Sequence, residues 1–291
     1  MRLSFVIPAY NEEKHIGKCL DSITREIKKG DYDIEIVVVN NASTDRTREI
    51  ASQYKNVRVV DEPKKGLLWA RRAGFLAATG DLIANVDADT ILTPRWVEKV
   101  FKEFSRDPKL LALSGPFIYY DLPPKTAFLV KFFYYIGYLT YLINHFILRT
   151  GAMLQGGNYI VRRSALHAIG GYDTRIEFYG EDTDIARRIN KIGKVKFTFR
   201  LPIYTSGRRL NGEGPFTIGL RYAMNYFWVI LFKRPFSLNS NDIREKSGVP
   251  AQPNKIKEWL IASDAVLILL AILFGIGFGF YKLAQLAIAA V

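Results

Sequence analysis

The chain of 291 residues is long enough to bury one large hydrophobic core or two modest ones. Its formal net charge of +13 indicates a negatively charged partner, such as a phosphate-bearing substrate, an anionic membrane surface or nucleic acid. We find no helix-turn-helix, RNA-recognition or zinc-finger pattern, which argues against nucleic acid. The single cysteine, Cys19, excludes an internal disulfide, and its place on an apolar helical stripe predicts a buried helix residue.

Short apolar runs alternate with helical stretches over the first 90 residues. Strands are predicted at residues 3–7, 34–39, 57–60 and 82–86. Helices are predicted between them, the first running to residue 28 with Asn11 as its N-cap, the others over 46–54 and 66–79. This alternation is typical of a parallel sheet with right-handed crossovers. Each strand is followed by a polar loop, and ligands bind beyond the carboxyl ends of such strands, so the loops predict a site.

The second half of the chain mixes strands with two aromatic helices. Strands are predicted at 110–118, 159–162 and 195–199, helices at 93–104, 164–169 and 178–192, and a basic loop at 204–209. The apolar, aromatic stretches 126–148 and 216–232 are interpreted as helices at a membrane surface, with buried scaffold helices as the alternative.

The C-terminal region changes composition twice. Residues 236–257 form a polar stretch that predicts a linker, and residues 258–291 are apolar and long enough for one transmembrane helix. The lysine and arginine residues before this segment predict that the preceding domain lies on the cytoplasmic side. We therefore expect a membrane protein that crosses the bilayer once, at the C-terminus.

The glycine-rich motifs that commonly bind nucleotides are missing. The sequence has neither G-x-G-x-x-G after its first strand, nor G-x-x-x-x-G-K-[ST], nor the G-x-S-x-G elbow. The histidines, His15, His145 and His167, have no zinc-like spacing. Any nucleotide is therefore expected to be bound by side chains and a carboxylate-bound metal.

Two acidic pairs are the candidate reactive groups. Asp87 and Asp89 follow the fourth predicted strand, and carboxylates at this spacing can bind a divalent cation such as Mg²⁺ or Mn²⁺, which shares its oxygen ligands with phosphates. Glu181 and Asp182 open a predicted helix, where they are either a favourable acidic N-terminus or a catalytic pair. Neither pair is specific by itself, so the surrounding motifs decide.

Five short motifs occur in order over residues 1–210. They are Pro8-Ala-Tyr-Asn-Glu-Glu13, Asn40-Asn-Ala-Ser-Thr-Asp45, Asp87-Ala-Asp89, Gly170-Gly-Tyr-Asp173 and Glu181-Asp-Thr-Asp184. Together they resemble the family 2 glycosyltransferases of the GT-A fold. The resemblance implies an α/β fold with a Rossmann-like, mostly parallel central sheet and flanking helices. It also implies inverting transfer from a nucleotide-diphosphate sugar with a divalent metal.

The resemblance assigns roles to individual residues. Asp182 is the expected catalytic base, and Glu181 orients it or contacts the acceptor. Asp87 and Asp89 are the expected metal ligands. The expected nucleotide-sugar-binding residues are Pro8, Ala9, Tyr10, Glu12, Asn40, Asn41, Arg71, Asp87, Ala88, Arg208 and Arg209, and the acceptor-side residues are Gly156, Gly157 and Asn158.

Asn40 and Asn41 depart from the family pattern, Arg71 has an alternative interpretation, and Asp184 is expected to lie outside the site. Asn40 and Asn41 stand where relatives usually have aspartates, which leaves the nucleotide base open. Arg71 either contacts the base or diphosphate or is an exposed helix arginine. Asp184 is expected to point away from the site.

The predicted organisation is one catalytic domain over residues 1–235, with a nucleotide-binding half at 1–90 and an acceptor half at 91–235. The apolar tail and aromatic helices favour a lipid-linked acceptor, either a polyprenyl phosphate or a glycolipid. The alternative from another class is a catalytically silent membrane scaffold that binds sugar nucleotides. A basic nucleic-acid binder is the third hypothesis.

Overall fold

The computed structural model describes residues 1–142, 152–176 and 179–232. Within them, seven strands form the main sheet. Across the sheet they are β3 (Val57–Asp61), β2 (Ile34–Asn40), β1 (Leu3–Ala9), β4 (Leu82–Val86), β8 (Asn158–Arg162), β6 (Leu110–Ser114) and β9 (Lys194–Phe197). A smaller sheet contains β5 (Ile91–Leu92), β10 (Ile203–Thr205) and β7 (Phe117–Tyr119).

The first four strands are parallel and adjacent, as the alternating pattern predicts. β1 pairs in parallel with β2 and β4, and β2 pairs in parallel with β3. Their carboxyl ends therefore meet at one edge of the sheet. β8 runs antiparallel to both of its neighbours, β4 and β6, whereas β6 and β9 pair in parallel with each other. The central sheet is therefore mostly parallel.

Helices pack against both faces of this sheet, and further helices flank its carboxyl edge. They are α1 (Ile16–Ile27), α2 (Thr47–Ser52), α3 (Leu67–Ala77), α4 (Trp96–Arg106), α5 (Pro124–Leu142), α6 (Arg163–Ala168), α7 (Glu181–Asn190), α8 (Arg208–Glu213) and α9 (Pro215–Phe232). Successive side chains of β1 point to opposite faces. Phe5 packs in the core formed with α1 and α4, and Val6 belongs to the core that includes Phe75 of α3. Buried cores on both faces explain why the strands are almost uninterrupted apolar runs.

Two predicted boundaries are wrong for local reasons. Asn11 is not an N-cap, because α1 begins at Ile16; Asn11 instead has a left-handed backbone (φ 51°), and its Oδ1 accepts the Thr44 N–H at 2.8 Å. This contact joins the loop after β1 to the loop after β2. The predicted basic loop 204–209 is also wrong, because it contains the end of β10 and the first turn of α8, which begins at Arg208.

The predicted strand 110–118 divides into β6 and β7, which belong to different sheets. Gly115 and Pro116 separate them. A Cβ atom at Gly115 would lie 1.9 Å from the Leu201 carbonyl oxygen, and proline has no N–H to donate to a neighbouring strand. The apolar run therefore continues across a break that moves the chain to the smaller sheet.

The membrane predictions fall mostly outside the described residues. The predicted linker and transmembrane segment, 236–257 and 258–291, lie there entirely, as do residues 143–148 of the first aromatic stretch. Among residues 1–142, 152–176 and 179–232, no helix combines the length and apolar character needed to cross a membrane.

Two helical glycines allow a matched test of packing between α3 and the sheet. A Cβ atom at Gly74 would lie 2.3 Å from Val6 Cγ1, whereas one at Gly137 of α5 would meet no atom within 4 Å. We expect Gly74→Ala to lower the free energy of unfolding by about 1–3 kcal/mol through overpacking. Gly137→Ala should raise it by up to about 1 kcal/mol, because alanine favours helix. Equilibrium denaturation measures both, and equal effects would contradict the close helix–sheet contact.

Candidate active site

A cavity of about 350 Å³ opens at the carboxyl edge of β1 and β4. Its wall is formed by the ends of these strands, the segment before β8 and the start of α7. Residues of α8 and α9 also line it. Most of the predicted site residues line it: Pro8, Glu12, Arg71, Asp87, Ala88, Asp89, Gly156, Glu181, Asp182, Arg208 and Arg209.

Asp87 and Asp89 lie on the strand side of the cavity, each paired with an arginine. Asp87 Oδ1 accepts from Arg71 Nη2 at 3.3 Å, and Asp89 Oδ2 lies 3.0 Å from Arg208 Nη2. Burial raises the pKa of Asp89 to about 6; Arg208 opposes this shift, and the carboxylates of Asp87 and Glu12 add to it. Additional positive charge nearby would therefore stabilise the ionised forms of Asp89, Asp87 and Glu12.

The donor set fits a divalent cation that takes its remaining ligands from a substrate. Over the residues that the structure describes, no cluster of three or more His, Cys, Asp and Glu side chains is arranged to hold a metal. The charged side chains lining the cavity are five carboxylates and three arginines, a formal excess of two negative charges. Mg²⁺ and Mn²⁺ are commonly bound by one or two carboxylates together with phosphate and water, which suits Asp87 and Asp89.

Asp182 lies in the first turn of α7 and lines the same cavity as Asp89. Its Oδ2 accepts the Gly156 N–H at 2.9 Å, and its Oδ1 accepts the Thr183 N–H at 2.7 Å. Burial raises the pKa of Asp182, and these two N–H groups oppose the shift. The carboxylate is thus oriented by backbone donors that stabilise its ionised form, as a proton acceptor requires.

The segment Gly156-Gly157 lies between the two acidic pairs. A Cβ atom at Gly157 would be 2.1 Å from Asp87 Oδ2, and Gly157 has φ +81°, so the position requires glycine. A Cβ atom at Gly156 would be 3.2 Å from Glu181 Oε1. Sequence reasoning assigned both to the acceptor side, but Gly157 packs against the predicted metal ligand.

Arg71 is buried, so the exposed-helix alternative is wrong. Its side chain is 1% exposed, and its Nη2 lies 3.3 Å from Asp87 Oδ1 and 3.2 Å from Glu181 Oε1. Its Nη1 donates to the Tyr159 hydroxyl at 2.8 Å. Arg71 therefore connects the two acidic pairs, and Glu181 acts as its ion-pair partner within the buried network. Nothing in the local sequence around Tyr159 indicated this role.

Asp184 and the Gly170-Gly-Tyr-Asp173 motif do not line the cavity but contact residues around it. Asp184 points away, as predicted, and pairs with Arg187 and Arg188 at 2.8 and 2.7 Å. The Tyr172 hydroxyl donates to Asn85 Oδ1 at 2.8 Å and lies 3.5 Å from the Tyr159 hydroxyl. The motif thereby extends the buried network around Arg71.

Six predicted site residues do not line the cavity: Ala9, Tyr10, Asn40, Asn41, Gly157 and Asn158. Asn158 is fully buried, and its Nδ2 donates to the carbonyl oxygens of Gly115 and Leu201 at 2.9 and 3.0 Å. It holds the break between β6 and β7 in place. The role predicted for it on the acceptor side is therefore indirect, through the position of the chain that follows Gly156.

The two asparagines after β2 differ in their partners. Asn41 Nδ2 donates to the carbonyls of Glu62 and Lys64 at 3.0 and 2.8 Å, and its Oδ1 accepts the Gly66 N–H at 2.8 Å. Asn41 thus fixes the loop before α3. Asn40 Nδ2 donates to Asp61 Oδ1 at 2.8 Å, while its buried Oδ1 has no hydrogen-bond partner. Asn40 is therefore the better placed of the two to accept a further hydrogen bond.

Tyr10 and Glu12 contact basic side chains. Lys65 Nζ lies 4.0 Å from the centroid of the Tyr10 ring and donates to its hydroxyl at 2.7 Å. Glu12 is 4% exposed, forms an ion pair with Arg208, and its Oε2 lies 3.1 Å from His15 Nδ1. A base that stacks on Tyr10 would have to share the ring with Lys65.

Sequence reasoning missed the contribution of α9 to the cavity wall. Ile218, Tyr222, Asn225 and Tyr226 of this helix line the cavity together with Tyr179. The aromatic composition of the stretch was visible in the sequence, but it indicated only an apolar surface. The packing of α9 against α7 brings these side chains to the site.

The mostly parallel sheet, with a carboxylate-lined cavity at its carboxyl edge, is the arrangement that the resemblance to GT-A proteins implies. The sequence model of the family described as Glycosyl transferase family 2 matches residues 4–170, more than half of the chain. The chain belongs to this family, which confirms the resemblance.

Named relatives cover only part of the chain. The uncharacterized glycosyltransferase EpsJ of Bacillus subtilis (strain 168) is 35% identical over 105 residues, which is 35% of this chain and 30% of that protein. The dolichyl-phosphate beta-glucosyltransferase ALG5A of Trichomonas vaginalis is 40% identical over 97 residues, or 30% of each. The chain thus spans about a third of the length of these relatives.

A solved structure resembles the chain over nearly all of its length. The mannosyltransferase PcManGT from Pyrobaculum calidifontis, in complex with GDP-Man and Mn²⁺, superposes with a TM-score of 0.61 at 19% identity. The match covers 99% of this chain and 75% of that one. This likeness confirms the α/β fold of the GT-A type, with its mostly parallel central sheet, that the resemblance implied.

Proposed function

We propose that the protein is an inverting glycosyltransferase that moves a sugar from a nucleotide-diphosphate sugar to a lipid-linked acceptor. The observation that carries the proposal is one cavity that brings Asp87, Asp89 and Asp182 together, with Gly157 packed against Asp87 and Gly156 against Glu181 and Asp182. Inverting transfer needs charge neutralisation at the leaving group and an acceptor on the opposite face of the sugar, and this cavity can accommodate both.

The proposed mechanism assigns proton acceptance to Asp182 and neutralisation of the leaving group to the arginines and a metal ion. Asp182 accepts the proton of an acceptor hydroxyl, whose oxygen bonds to the anomeric carbon as the bond from that carbon to the diphosphate oxygen breaks. Arg208 and Arg209 line the cavity, and in this proposal their guanidinium groups neutralise the departing diphosphate. Asp87 and Asp89 would hold a divalent cation, which would supply further charge neutralisation at the same leaving group.

A lipid-linked acceptor is supported by the outer surface of α5. Four of its large apolar side chains are exposed at helical spacing: Phe128 (74%), Phe132 (53%), Tyr135 (67%) and Leu139 (59%). Lys125 and Lys131 are exposed on the same face, and the described helix has no acidic residue. Such a face suits an anionic membrane surface.

The other face of α5 reaches the acceptor side of the cavity. The Tyr134 hydroxyl donates to Gln155 Oε1 at 3.0 Å, and Gln155 lines the cavity next to Gly156. One helix thus joins the exposed apolar face to the acceptor side. A similar relative carries the name of a dolichyl-phosphate glucosyltransferase, which agrees with a polyprenyl phosphate or glycolipid acceptor. In this proposal, residues 258–291 anchor the protein in the membrane, and the catalytic domain lies in the cytoplasm.

The function can be tested with a panel of UDP-, GDP- and dTDP-sugars, with and without Mn²⁺. The correct donor should raise the melting temperature in a metal-dependent manner, because a ligand that binds only the native state stabilises it. The same donor should then transfer its sugar to a polyprenyl phosphate or glycolipid. Stabilisation without transfer or donor hydrolysis would favour the catalytically silent scaffold instead.

The α5 surface makes a separate prediction about membranes. Cys19, the single cysteine of the chain, is buried, so an engineered cysteine can be labelled selectively. We expect a fluorophore on Leu139→Cys, in full-length protein reconstituted into anionic vesicles, to be quenched by brominated lipids. A fluorophore on Ile192→Cys, another exposed apolar position (50%), should not be quenched. Equal quenching at both positions, or none at 139, would contradict membrane contact by α5.

A further inference from the structure

Arg208 bridges two acidic side chains that are 77 residues apart in the chain. Its Nη1 donates to Glu12 Oε2 at 3.0 Å and its Nη2 pairs with Glu12 Oε1, while Nη2 also lies 3.0 Å from Asp89 Oδ2. The Glu12 and Asp89 side chains are 5% and 13% exposed, and that of Arg208 is 26% exposed. The guanidinium therefore already supplies positive charge at the predicted metal ligand.

The chain around Arg208 holds the side chain at this place. The Ser206 hydroxyl donates to Asp121 Oδ2 at 2.5 Å, and the Gly207 N–H donates to the other oxygen of Asp121. The Thr205 hydroxyl is 3.4 Å from Asp89 Oδ1. The junction between β10 and α8 is thereby fixed at Asp121 and at Asp89, with Arg208 directly after it.

A guanidinium and a divalent cation cannot both bind the same carboxylate oxygen closely without strong repulsion. Two like charges a few ångströms apart in a partly buried site repel by several kcal/mol. A cation at Asp89 therefore requires Arg208 to move or to find another negative partner. The diphosphate of a sugar nucleotide is such a partner, because its oxygens match the guanidinium fork.

We propose that Arg208 competes with the divalent cation for Asp89, so that the cation binds firmly only when a donor diphosphate draws Arg208 away. This inference rests on the proposed function for its donor. Cation and diphosphate then favour each other's binding, and by thermodynamic linkage the coupling is the same in both directions. Arg208 is in this view a residue that determines binding order as well as one that contacts the leaving group.

The competition can be measured with Mn²⁺ alone, without donor or acceptor. At pH 8, we expect Arg208→Met to bind Mn²⁺ at least about tenfold more tightly than the wild type, about 1.4 kcal/mol, in a calorimetric or electron-paramagnetic-resonance titration. The matched control is Arg221→Met, which removes the same charge from α9, where Arg221 bonds to Tyr179 and Glu213. This control should bind Mn²⁺ with wild-type affinity.

A second variant covers the case in which Arg208→Met does not fold. Arg208→Lys keeps the charge but loses the fork that engages Glu12 and Asp89 together, and we expect an Mn²⁺ affinity between those of the wild type and Arg208→Met. Unchanged or weaker Mn²⁺ binding in the folded Arg208 variants would overturn the inference. Equal tightening in Arg221→Met would do the same, because it would show a general effect of charge. Because no sugar is transferred in this titration, its outcome is separate from that of the donor panel.

Discussion

Asp182→Asn is expected to lower kcat for transfer to an acceptor hydroxyl by about 10²–10⁴-fold, the usual contribution of a general base. The substitution keeps the shape of the side chain but removes its ability to take a proton. The N–H groups of Gly156 and Thr183 orient this carboxylate, and an asparagine amide in its place cannot accept the proton. Single-turnover transfer with the identified donor measures the loss.

The control for this variant is donor binding. Asp182 bonds to the N–H groups of Gly156 and Thr183, whereas Asp87 and Asp89 pair with arginines. The metal-dependent stabilisation by the donor should therefore persist in Asp182→Asn. Full activity in the variant would contradict the assignment of the base. It would also favour an acceptor phosphate over an acceptor hydroxyl, because a phosphate oxygen is already ionised at neutral pH and needs no base.

The pH profile provides independent information on the same residue. Burial raises the pKa of Asp182 above its ordinary value, and a base acts only when it is deprotonated. Activity should therefore be present above the raised pKa and fall as the pH drops through it. The acidic limb of kcat/KM in the wild type reports this ionisation in the free enzyme together with that of Asp89, whose pKa burial raises to about 6.

Arg71→Met is expected to lower the free energy of unfolding by about 3–5 kcal/mol, as is usual when one partner of a buried ion pair is removed. Arg71 and Glu181 are 1% and 4% exposed, so solvent cannot replace the lost partner of Glu181. Asp87 loses the same counter-charge. Equilibrium denaturation measures the effect, and transfer activity should fall as well because both acidic pairs lose their common support.

A graded series identifies the source of this effect. Tyr159→Phe removes the hydroxyl that accepts from Arg71 Nη1 but leaves both ion pairs, so it should destabilise by only about 1–3 kcal/mol. Arg72→Met, at the adjacent exposed arginine of α3, should change stability by less than about 0.5 kcal/mol. If Arg71→Met were as mild as Arg72→Met, the buried network would not have the energetic role described above.

The neighbouring residues Arg71 and Arg72 show where sequence reasoning ends. Both have the same chemistry on the same helix, yet one is buried against Tyr159 and Glu181 and the other is exposed. The difference comes from side chains 88 and 110 positions further along the chain, which local periodicity does not encode. The interruption at Gly115 and Pro116 is similar, since its cause is the close approach of Leu201.

The sequence by itself determined the order of strands and helices in the first half, the edge at which the loops meet, and the positions of Asp87, Asp89 and Asp182. It could do so because burial on both faces produces continuous apolar strands, and because parallel strands present their carboxyl ends together. The family was also readable, since its short motifs occur in order.

Only the tertiary structure decided which charged groups pair. It placed Arg208 between Glu12 and Asp89, put Arg71 between Asp87 and Glu181, and made Gly157 a neighbour of Asp87. These contacts join residues that are distant in sequence. Their physical cause is that desolvated carboxylates must find counter-charges or donors wherever folding brings them, and a linear pattern of residue types does not specify those distances.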